Sequence, residues 1–252
     1  PDNGELASGL IGEGRLAEPE EIVTFMESLI MKELPLLGKK VLVSAGPTYE
    51  AIDPVRFIGN HSSGKMGFAI ADRFAALGAT VTLVTGPTAE ISEQRLSRVD
   101  VVSAAEMLEA CSSAFPESDI TIMSAAVADY TPVYVAEQKK KKQDSSLSIE
   151  LKKTTDILAF LGSQKKDTQL LIGFALETEN EEAHAQGKLV KKNLDLIVLN
   201  SLNDDGAGFK TNTNKITIIN KAFEKKVFEM KSKVEVAKDI SDEILALSLK
   251  LK

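Results

Sequence analysis

Cysteine is almost missing from this chain: Cys111 is the single one among 252 residues. One thiol cannot build an internal disulfide framework, which fits a reducing, cytoplasmic setting. Cys111 lies in an apolar helical stretch beside Leu108 and reads as core. Histidine is nearly as scarce. His61 and His184 have no second His or Cys at ligand spacing, so the pattern offers neither a zinc site nor a Cys/His nucleophile pair. No G-x-S-x-G elbow is present. No apolar run approaches the ~18 residues of a membrane span, and no signal peptide precedes the fold. An excess of basic charge is also lacking. Lys and Arg number 30 against 37 Asp and Glu, a net charge of −7, which argues against nucleic-acid partners. The chain opens at Pro1 rather than Met, and we read it as a fragment or a processed product.

What is present is ordinary globular composition, 43% hydrophobic and 27% charged, enough for one large domain or two small ones. The stretch Val41 to Gly67 organises the rest. Val41-Leu42-Val43 reads as a buried strand. A turn of small residues, Ser44 to Thr48, comes next. A polar excursion then brings Asp53, Arg56, Asn60, His61, Ser62, Ser63 and Lys65 together before a helix begins after Gly64. A polar loop feeding a helix start is a ready anion site, because free N–H groups and the helix dipole face whatever sits there.

Residues 1 to 38 differ in character from the rest of the chain: early glycines, then a short amphipathic helix after Pro19, then a linker. Gly12-Glu13-Gly14 is not a dinucleotide fingerprint, since no strand precedes it and the third glycine is missing. From Lys40 onward strands and helices alternate. Strands are predicted at Thr80 to Val84, Arg98 to Val102, Ile120 to Met123, Leu147 to Leu151, Leu170 to Phe174 and Leu196 to Asn200. Helices are predicted at Met66 to Leu77, Ala104 to Phe115 and Glu179 to Lys192. The section from Tyr130 to Ser146, with Lys139 to Lys142, reads as a non-sheet loop able to fold over a polyanion. Lys215 to Asn220 and Lys225 to Met230 form a hairpin, and Val234 to Leu251 a closing amphipathic helix. The fold class is therefore α/β: a Rossmann-like, mostly parallel sheet with helices on both faces, a C-terminal β-hairpin and a closing helix. Ligands of such sheets collect at the carboxyl ends of the strands, here Ser44 to Thr48, Gly86 to Thr88 and Ser124 to Asp129.

Gly59 to Lys65 satisfies G-x-x-x-x-G-K, but Met66 replaces the Mg²⁺-binding hydroxyl. The preceding strand also ends about fifteen residues too early for a P-loop. What remains are phosphate-capable donors (Arg56, Lys65, Lys139 to Lys142, Lys188, Lys192) and carboxylates at strand ends (Asp53, Asp129, Asp156). That set suits a nucleoside triphosphate with Mg²⁺. The residues by themselves describe a nucleotide-using α/β enzyme with a further anionic ligand.

At this point a family resemblance enters. The run from Ser44 to Gly67, SAGPTYEAIDPVRFIGNHSSGKMG, resembles bacterial phosphopantothenoylcysteine synthetase, the CTP-dependent ligase of coenzyme A biosynthesis. Ala125 to Tyr130, the lysine flap Lys139 to Gln143, Gly173 to Thr178, and Lys191 to Asp195 with Asn200 resemble its further motifs, in order. The resemblance covers about residues 39 to 252. In that family the synthetase is commonly the C-terminal half of a fusion with a flavin-dependent decarboxylase. Residues 1 to 38 then read as a remnant of the decarboxylase and a linker. Its substrate clamp resembles Gly4 to Gly9, with Ser8 where many members carry cysteine. No flavin and no decarboxylase activity are expected of this chain.

The resemblance implies a chemistry. The carboxylate of 4′-phosphopantothenate attacks the α-phosphate of CTP, giving an acyl-cytidylate and pyrophosphate; the amine of L-cysteine then displaces CMP. Carried over by position, Asn60 and Lys139 would be catalytic. Met123, Ser124, Ala125, Asp129, Lys139, Thr155, Asp156, Ile157, Leu158, Phe174, Lys188 and Lys192 would bind CTP. Arg56, Asn60, Ser62, Ser63 and Lys65 would bind the acid, and Asp129 the metal, Mg²⁺. Lys140 stands where relatives carry an apolar residue, which leaves the register of the flap open. A homodimer is implied, its second subunit covering the substrate end through the Asn203 to Asn214 loop or the hairpin. Two other readings share the fold class: an NAD(P)-binding oxidoreductase and a non-catalytic nucleotide-binding module.

Overall fold

The computed structural model describes residues 2–5, 8–139, 147–177, 181–201 and 211–248. Eight strands form the main sheet: β1 (Lys40–Ala45), β2 (Thr80–Thr85), β3 (Ser97–Asp100), β4 (Ile120–Met123), β5 (Leu170–Glu177), β6 (Leu196–Ser201), β7 (Ile216–Asn220) and β8 (Lys225–Val227). Their spatial order is β8-β7-β6-β5-β4-β1-β2-β3. Every pairing from β3 to β6 is parallel, and β7 and β8 add an antiparallel edge. The helices are α1 (Pro19–Lys32), α2 (Lys65–Ala76), α3 (Ala104–Ala114), α4 (Ile157–Gln164), α5 (Glu181–Lys191) and α6 (Lys233–Ser248). The expected α/β class and largely parallel sheet are found.

Why the central strands read as unbroken apolar runs is visible in the packing. Alternate residues of β1 and β4 point to opposite faces. Val41, Val43, Ala45, Ile120 and Ile122 join a core with Phe68, Ile70 and Phe74 of α2 and Val236, Ile240 and Ile244 of α6. Leu42 and Met123 join a second core with Met107 and Cys111 of α3, Ile157 and Leu161 of α4, and Ala185 and Leu189 of α5. Helices cover both sides, so both faces of each strand must be apolar. Burial also pushes the Cys111 thiol up to about 12, consistent with an inert core position.

Several boundaries differ from the sequence reading. Within residues 1 to 38 the amphipathic helix expected after Pro19 is α1, and a hairpin that was not expected, Asp2–Glu5 with Ile11–Arg15, precedes it. Gly12-Glu13-Gly14 lies in that second strand. The third strand ends at Asp100 rather than Val102; Val101 still donates to the Thr85 carbonyl at 2.9 Å. The strand expected at Leu147 to Leu151 is Leu151–Lys153, paired with Tyr130–Pro132 in a section expected to contain no strand. The hydrogen bonding runs on at both ends of the pair, the Val133 N–H donating to the Glu150 carbonyl at 3.0 Å and the Thr154 N–H to the Asp129 carbonyl at 2.9 Å. The polar excursion after β1 also folds, as the hairpin Tyr49–Ala51 with Phe57–Gly59, where Tyr49 stacks on Phe57 at 3.9 Å. Among the described residues no helix is long and apolar enough to cross a membrane.

One close approach links core to rim. A Cβ on Gly162 of α4 would lie 2.0 Å from the carbonyl oxygen of Lys192, at the end of α5. Gly162→Ala must therefore push the two helices apart, at a cost of about 1–3 kcal/mol. Thermal unfolding is expected to show a Tm lower by several degrees, roughly 2–4 °C per kcal/mol at this chain length. An unchanged Tm would mean that the α4–α5 contact yields freely.

Candidate functional site

The site arises where the connections part. The chain leaving β1 returns to β2 through α2, on one face of the sheet; the chain leaving β4 returns to β5 through α4, on the other. β1 and β4 are direct parallel neighbours, with Ser44 opposite Met123. A crevice opens at such a switch point because the two loops diverge. Here it is a cleft of about 720 Å³.

Its floor is tied by hydrogen bonds between the two loops. The Ser124 hydroxyl donates to the Ser44 carbonyl at 2.6 Å, and the Ala125 N–H donates to the Ser44 hydroxyl at 3.2 Å. The Ala126 N–H donates to the Gly46 carbonyl at 2.9 Å, and the Ala128 N–H to the Thr48 hydroxyl at 2.9 Å. Asn60 reaches across from the α2 side: its amide donates to the carbonyls of Ala126 at 3.0 Å and Val127 at 3.2 Å. Beyond that loop the Thr154 hydroxyl donates to the Ala128 carbonyl at 2.7 Å.

The two ends of the cleft differ. At the α2 end Ser62, Ser63, Gly64 and Lys65 line it, together with Asn214 and Lys233. Gly64 holds a left-handed φ of 86°, which turns the loop into α2 with no side-chain cap. Lys65 Nζ donates to Asn212 Oδ1 at 2.6 Å, and Asn214 Nδ2 donates to Asn200 Oδ1 at 3.2 Å. At the α4 end Met123, Ile157, Leu158 and Phe174 supply apolar surface. Asp156 caps α4 by accepting from the Ala159 N–H at 3.0 Å and pairs with Lys192 at 2.9 Å. Burial alone would raise the Asp156 carboxyl; the Ala159 N–H and the Lys192 and Lys191 charges outweigh it and hold the group below the usual carboxylate range.

Most residues singled out from the sequence line this cleft: Asn60, Ser62, Ser63, Lys65, Met123, Ser124, Ala125, Asp129, Thr155, Asp156, Ile157, Leu158, Phe174 and Lys192. Arg56, Lys139 and Lys188 are not in its lining. Arg56 is held at the tip of the small hairpin, its Nε donating at 3.1 Å to Asp53, whose side chain is fully buried. Lys139 is exposed. Lys140 to Gln143, Thr178 and most of the loop from Asn203 lie outside the described residues. Sequence reasoning missed Lys153, Thr154, Asn214 and Lys233. Thr154 offers only a hydroxyl ahead of α4, and Lys233 lies one residue before the closing helix expected at Val234 to Leu251. Among the described residues no group of three or more His, Cys, Asp or Glu could hold a metal. Asp129 is exposed on the cleft as a single carboxylate, enough for an ion that brings its own waters and phosphate ligands.

Comparison with known proteins gives a consistent picture. Residues 36–247 match the family described as DNA/pantothenate metabolism flavoprotein C-terminal domain. The chain is 56% identical over 252 residues to a "Cysteine/Cysteine sulfinic acid decarboxylase" from an unknown prokaryotic organism, covering 98% of this chain and 70% of that protein. It is 49% identical over 251 residues to the "Coenzyme A biosynthesis bifunctional protein CoaBC" of Bacillus subtilis (strain 168), covering 98% of this chain and 62% of that protein. The crystal structure of the C-terminal domain of a CoaBC superposes with a TM-score of 0.73 at 43% identity, covering 85% of this chain and 98% of that one.

The Asp156 pairing sets a pH dependence. Its folded-state pKa is depressed, so the stability it adds is complete above the unfolded value of about 3.9 and is lost as pH falls through the depressed value. Asp156 is half exposed, so solvent screening keeps the effect to about 0.2–1 kcal/mol. Asp156→Asn keeps the cap and removes the charge. Urea unfolding is expected to place the variant below wild type at pH 6, with the gap closing as pH falls through the depressed value. A constant gap across that range would show that Lys192 is not the cause.

Proposed function

Since the chain belongs to the DNA/pantothenate metabolism flavoprotein C-terminal domain family, shared with the C-terminal domain of CoaBC, we propose that it is a phosphopantothenate–cysteine ligase. The observation that carries this reading is the switch-point cleft, which joins a cationic, hydroxyl-lined end to an apolar one within a single cavity. A nucleotide and a phosphorylated acid need both kinds of surface. The relatives it matches are longer, so the reading concerns the part of the reaction that this chain's own residues can perform.

In the first step a carboxylate oxygen of 4′-phosphopantothenate attacks the α-phosphorus of CTP, and the bond to the bridging oxygen breaks to release pyrophosphate. Lys65 and Lys139 would offset the charge gathering on the phosphates. The apolar wall of Ile157, Leu158 and Phe174 would hold the base, with Asp156 and Lys192 beside it. In the second step the amine of L-cysteine attacks the acyl carbon of the mixed anhydride, CMP leaves with the bonding electrons, and the amine loses its proton. Asn60, fixed to the Ala126 and Val127 carbonyls, would position the anhydride for that attack. Mg²⁺, when bound, would screen the triphosphate, and Asp129 is the carboxylate available to it.

The homodimer belongs to the same proposal. Val55 and Phe57 on one small hairpin, and Val133, Tyr134 and Val135 beyond the neighbouring strand, are exposed. The two segments meet where the Ala136 N–H donates to the Ile52 carbonyl at 3.0 Å. An apolar patch of this kind beside a site marks a contact surface, and a second copy is the occupant proposed.

Two experiments test this function. Pyrophosphate release with CTP, Mg²⁺ and 4′-phosphopantothenate should precede cysteine addition, and CMP release should come only after it. Lys139→Gln is expected to lose the first burst by roughly 10²-fold or more, and Asn60→Asp to accumulate the acyl-cytidylate. Wild-type rates in both variants would refute these roles. Release of CO₂ from L-cysteine without any pyrophosphate would instead favour the chemistry named for the decarboxylase relative. For the dimer, sedimentation of Val55→Glu/Tyr134→Glu should show monomers where wild type shows dimers. An unchanged profile would move the interface elsewhere.

A further inference from the structure

Asn60 holds the carbonyls of Ala126 and Val127 across the rim, yet its own segment lies outside the main sheet. It directly follows Gly59, the last residue of the small hairpin Tyr49–Ala51 with Phe57–Gly59. Two strands of three residues are marginally stable by themselves. Where Asn60 stands therefore depends on what ties this hairpin to the body of the protein.

Three consecutive residues make such ties. The Thr48 N–H donates to the Ala126 carbonyl at 3.3 Å, and the Tyr49 N–H to the Val102 carbonyl at 2.8 Å. The third tie is made by a side chain, so a substitution can remove it. Glu50 Oε1 accepts from the N–H of Ala104, the first residue of α3, at 2.8 Å. Glu50 is only 4% exposed. A carboxylate buried this far is costly unless a charge-assisted hydrogen bond and a favourable dipole compensate, and the start of α3 offers both. The helix also has a cap of its own. The Ser103 hydroxyl accepts from the Glu106 N–H, and the Glu106 carboxylate accepts from the N–H groups of Val102 and Ser103. That box leaves the Ala104 N–H over, and the hairpin meets it. Met107 and Cys111 fix α3 in the core. The donor has one place, so the acceptor has one too.

From Glu50 the constraint reaches Asn60 by a short route. Tyr49 and Glu50 lie opposite Gly59 and Ile58. The Tyr49 ring presses on Gly59 so closely that a Cβ there would lie 2.6 Å from Tyr49 Cδ1. Glu50 does not itself line the cleft, whereas Asn60 does. We infer that Glu50 is a positioning residue for Asn60: it pins the hairpin to α3 and so sets where the Asn60 amide stands over the cleft. The inference rests on the proposed function only for what Asn60 does in the reaction.

Glu50→Leu removes the acceptor, and Glu50→Gln keeps one. NMR follows the side-chain amide signals of Asn60, identified by their loss in Asn60→Asp. They are expected to move in Glu50→Leu and to return in Glu50→Gln. The signals of Asn193, bonded to the Gly162 carbonyl, should stay in place. In turnover Glu50→Leu should slow cysteine-dependent CMP release about tenfold or more, with the pyrophosphate burst kept within about twofold of wild type. Glu50→Gln should recover most of that loss, and in the Asn60→Asp background Glu50→Leu should add little. Unmoved Asn60 signals, or an equal loss in both steps, would overturn the inference. Circular dichroism checks the fold. If Glu50→Leu does not fold, Glu50→Asp, a methylene too short to reach Ala104, replaces it. A wild-type chain that forms no product, with Asn60 signals that still move in Glu50→Leu, would remove the proposed function and leave the positioning role standing.

Discussion

Everything at the site depends on β1 and β4 lying side by side while their outgoing chains leave on opposite faces. Parallel strands cannot be joined by tight turns, so each needs a helix to carry the chain back. Once those helices diverge, the backbone above the strand ends has no neighbour to fill the space. The register Ser44 opposite Met123 fixes where that happens, and the hydrogen bonds from Ser124, Ala125 and Ala126 to Ser44 and Gly46 keep the gap from collapsing or widening. The apolar cores on both faces hold the strands in register from below. Gly67 shows how closely α2 presses on this point: a Cβ there would lie 2.5 Å from Ala45 Cβ and 2.8 Å from Ser124 Oγ. Small residues at the start of α2 are thus a condition for the cleft to have its floor.

The same geometry sorts the chemistry. Helices on opposite faces bring different surfaces to one cavity, so its two ends need not resemble each other. The α4 end is paired and capped: Asp156 meets both the Ala159 N–H and Lys192, leaving a wall that is mostly Ile157, Leu158 and Phe174. The α2 end gathers cations and hydroxyls, with Lys233 arriving from α6. A ligand with an apolar ring at one end and phosphates at the other can satisfy both ends only in one direction. Orientation is therefore set by the fold before any single contact is made.

Much of this was legible in the sequence, and the reasons for the rest are physical. The apolar runs at Val41 and Ile120 and the small residues of α2 carry the α/β architecture, because burial on both faces demands them. Asn60 to Lys65 and Met123 to Asp129 stood out because polar residues at strand ends have few structural uses. Lys233 did not, since it reaches the cavity through the packing of α6 on α2, which is not a local property of the sequence. Asn214 is silent for the same reason: its partner is Asn200, across the β6–β7 pair. The Leu151–Lys153 strand was misplaced because its extent is set by its pairing with Tyr130–Pro132, some twenty residues earlier, rather than by its own residues. Arg56, expected as a substrate ligand, also pairs with the buried carboxylate of Asp53, three residues earlier, at the hairpin tip, a contact its sequence context does not announce.

The first turn after β1 bears on the rival dinucleotide reading. A dinucleotide fold leaves the amides of a glycine-rich turn open so that pyrophosphate can sit on them at the start of the first helix. Here that space is already used. The Thr48 N–H donates to the Ala126 carbonyl, Ala126 returns a bond to Gly46, and Pro47 bridges Ala126. The helix itself does not begin there. The hairpin Tyr49–Ala51 with Phe57–Gly59 intervenes and moves the first helical turn out to Lys65, after the left-handed Gly64. An anion drawn to this helix start meets Ser62, Ser63 and Lys65 in place of a glycine-rich turn. The fold is kept, but its phosphate-facing element has been displaced along the rim. The space over the strand ends stays open, which suits the proposed ligase, joining two molecules, better than a binder of one dinucleotide.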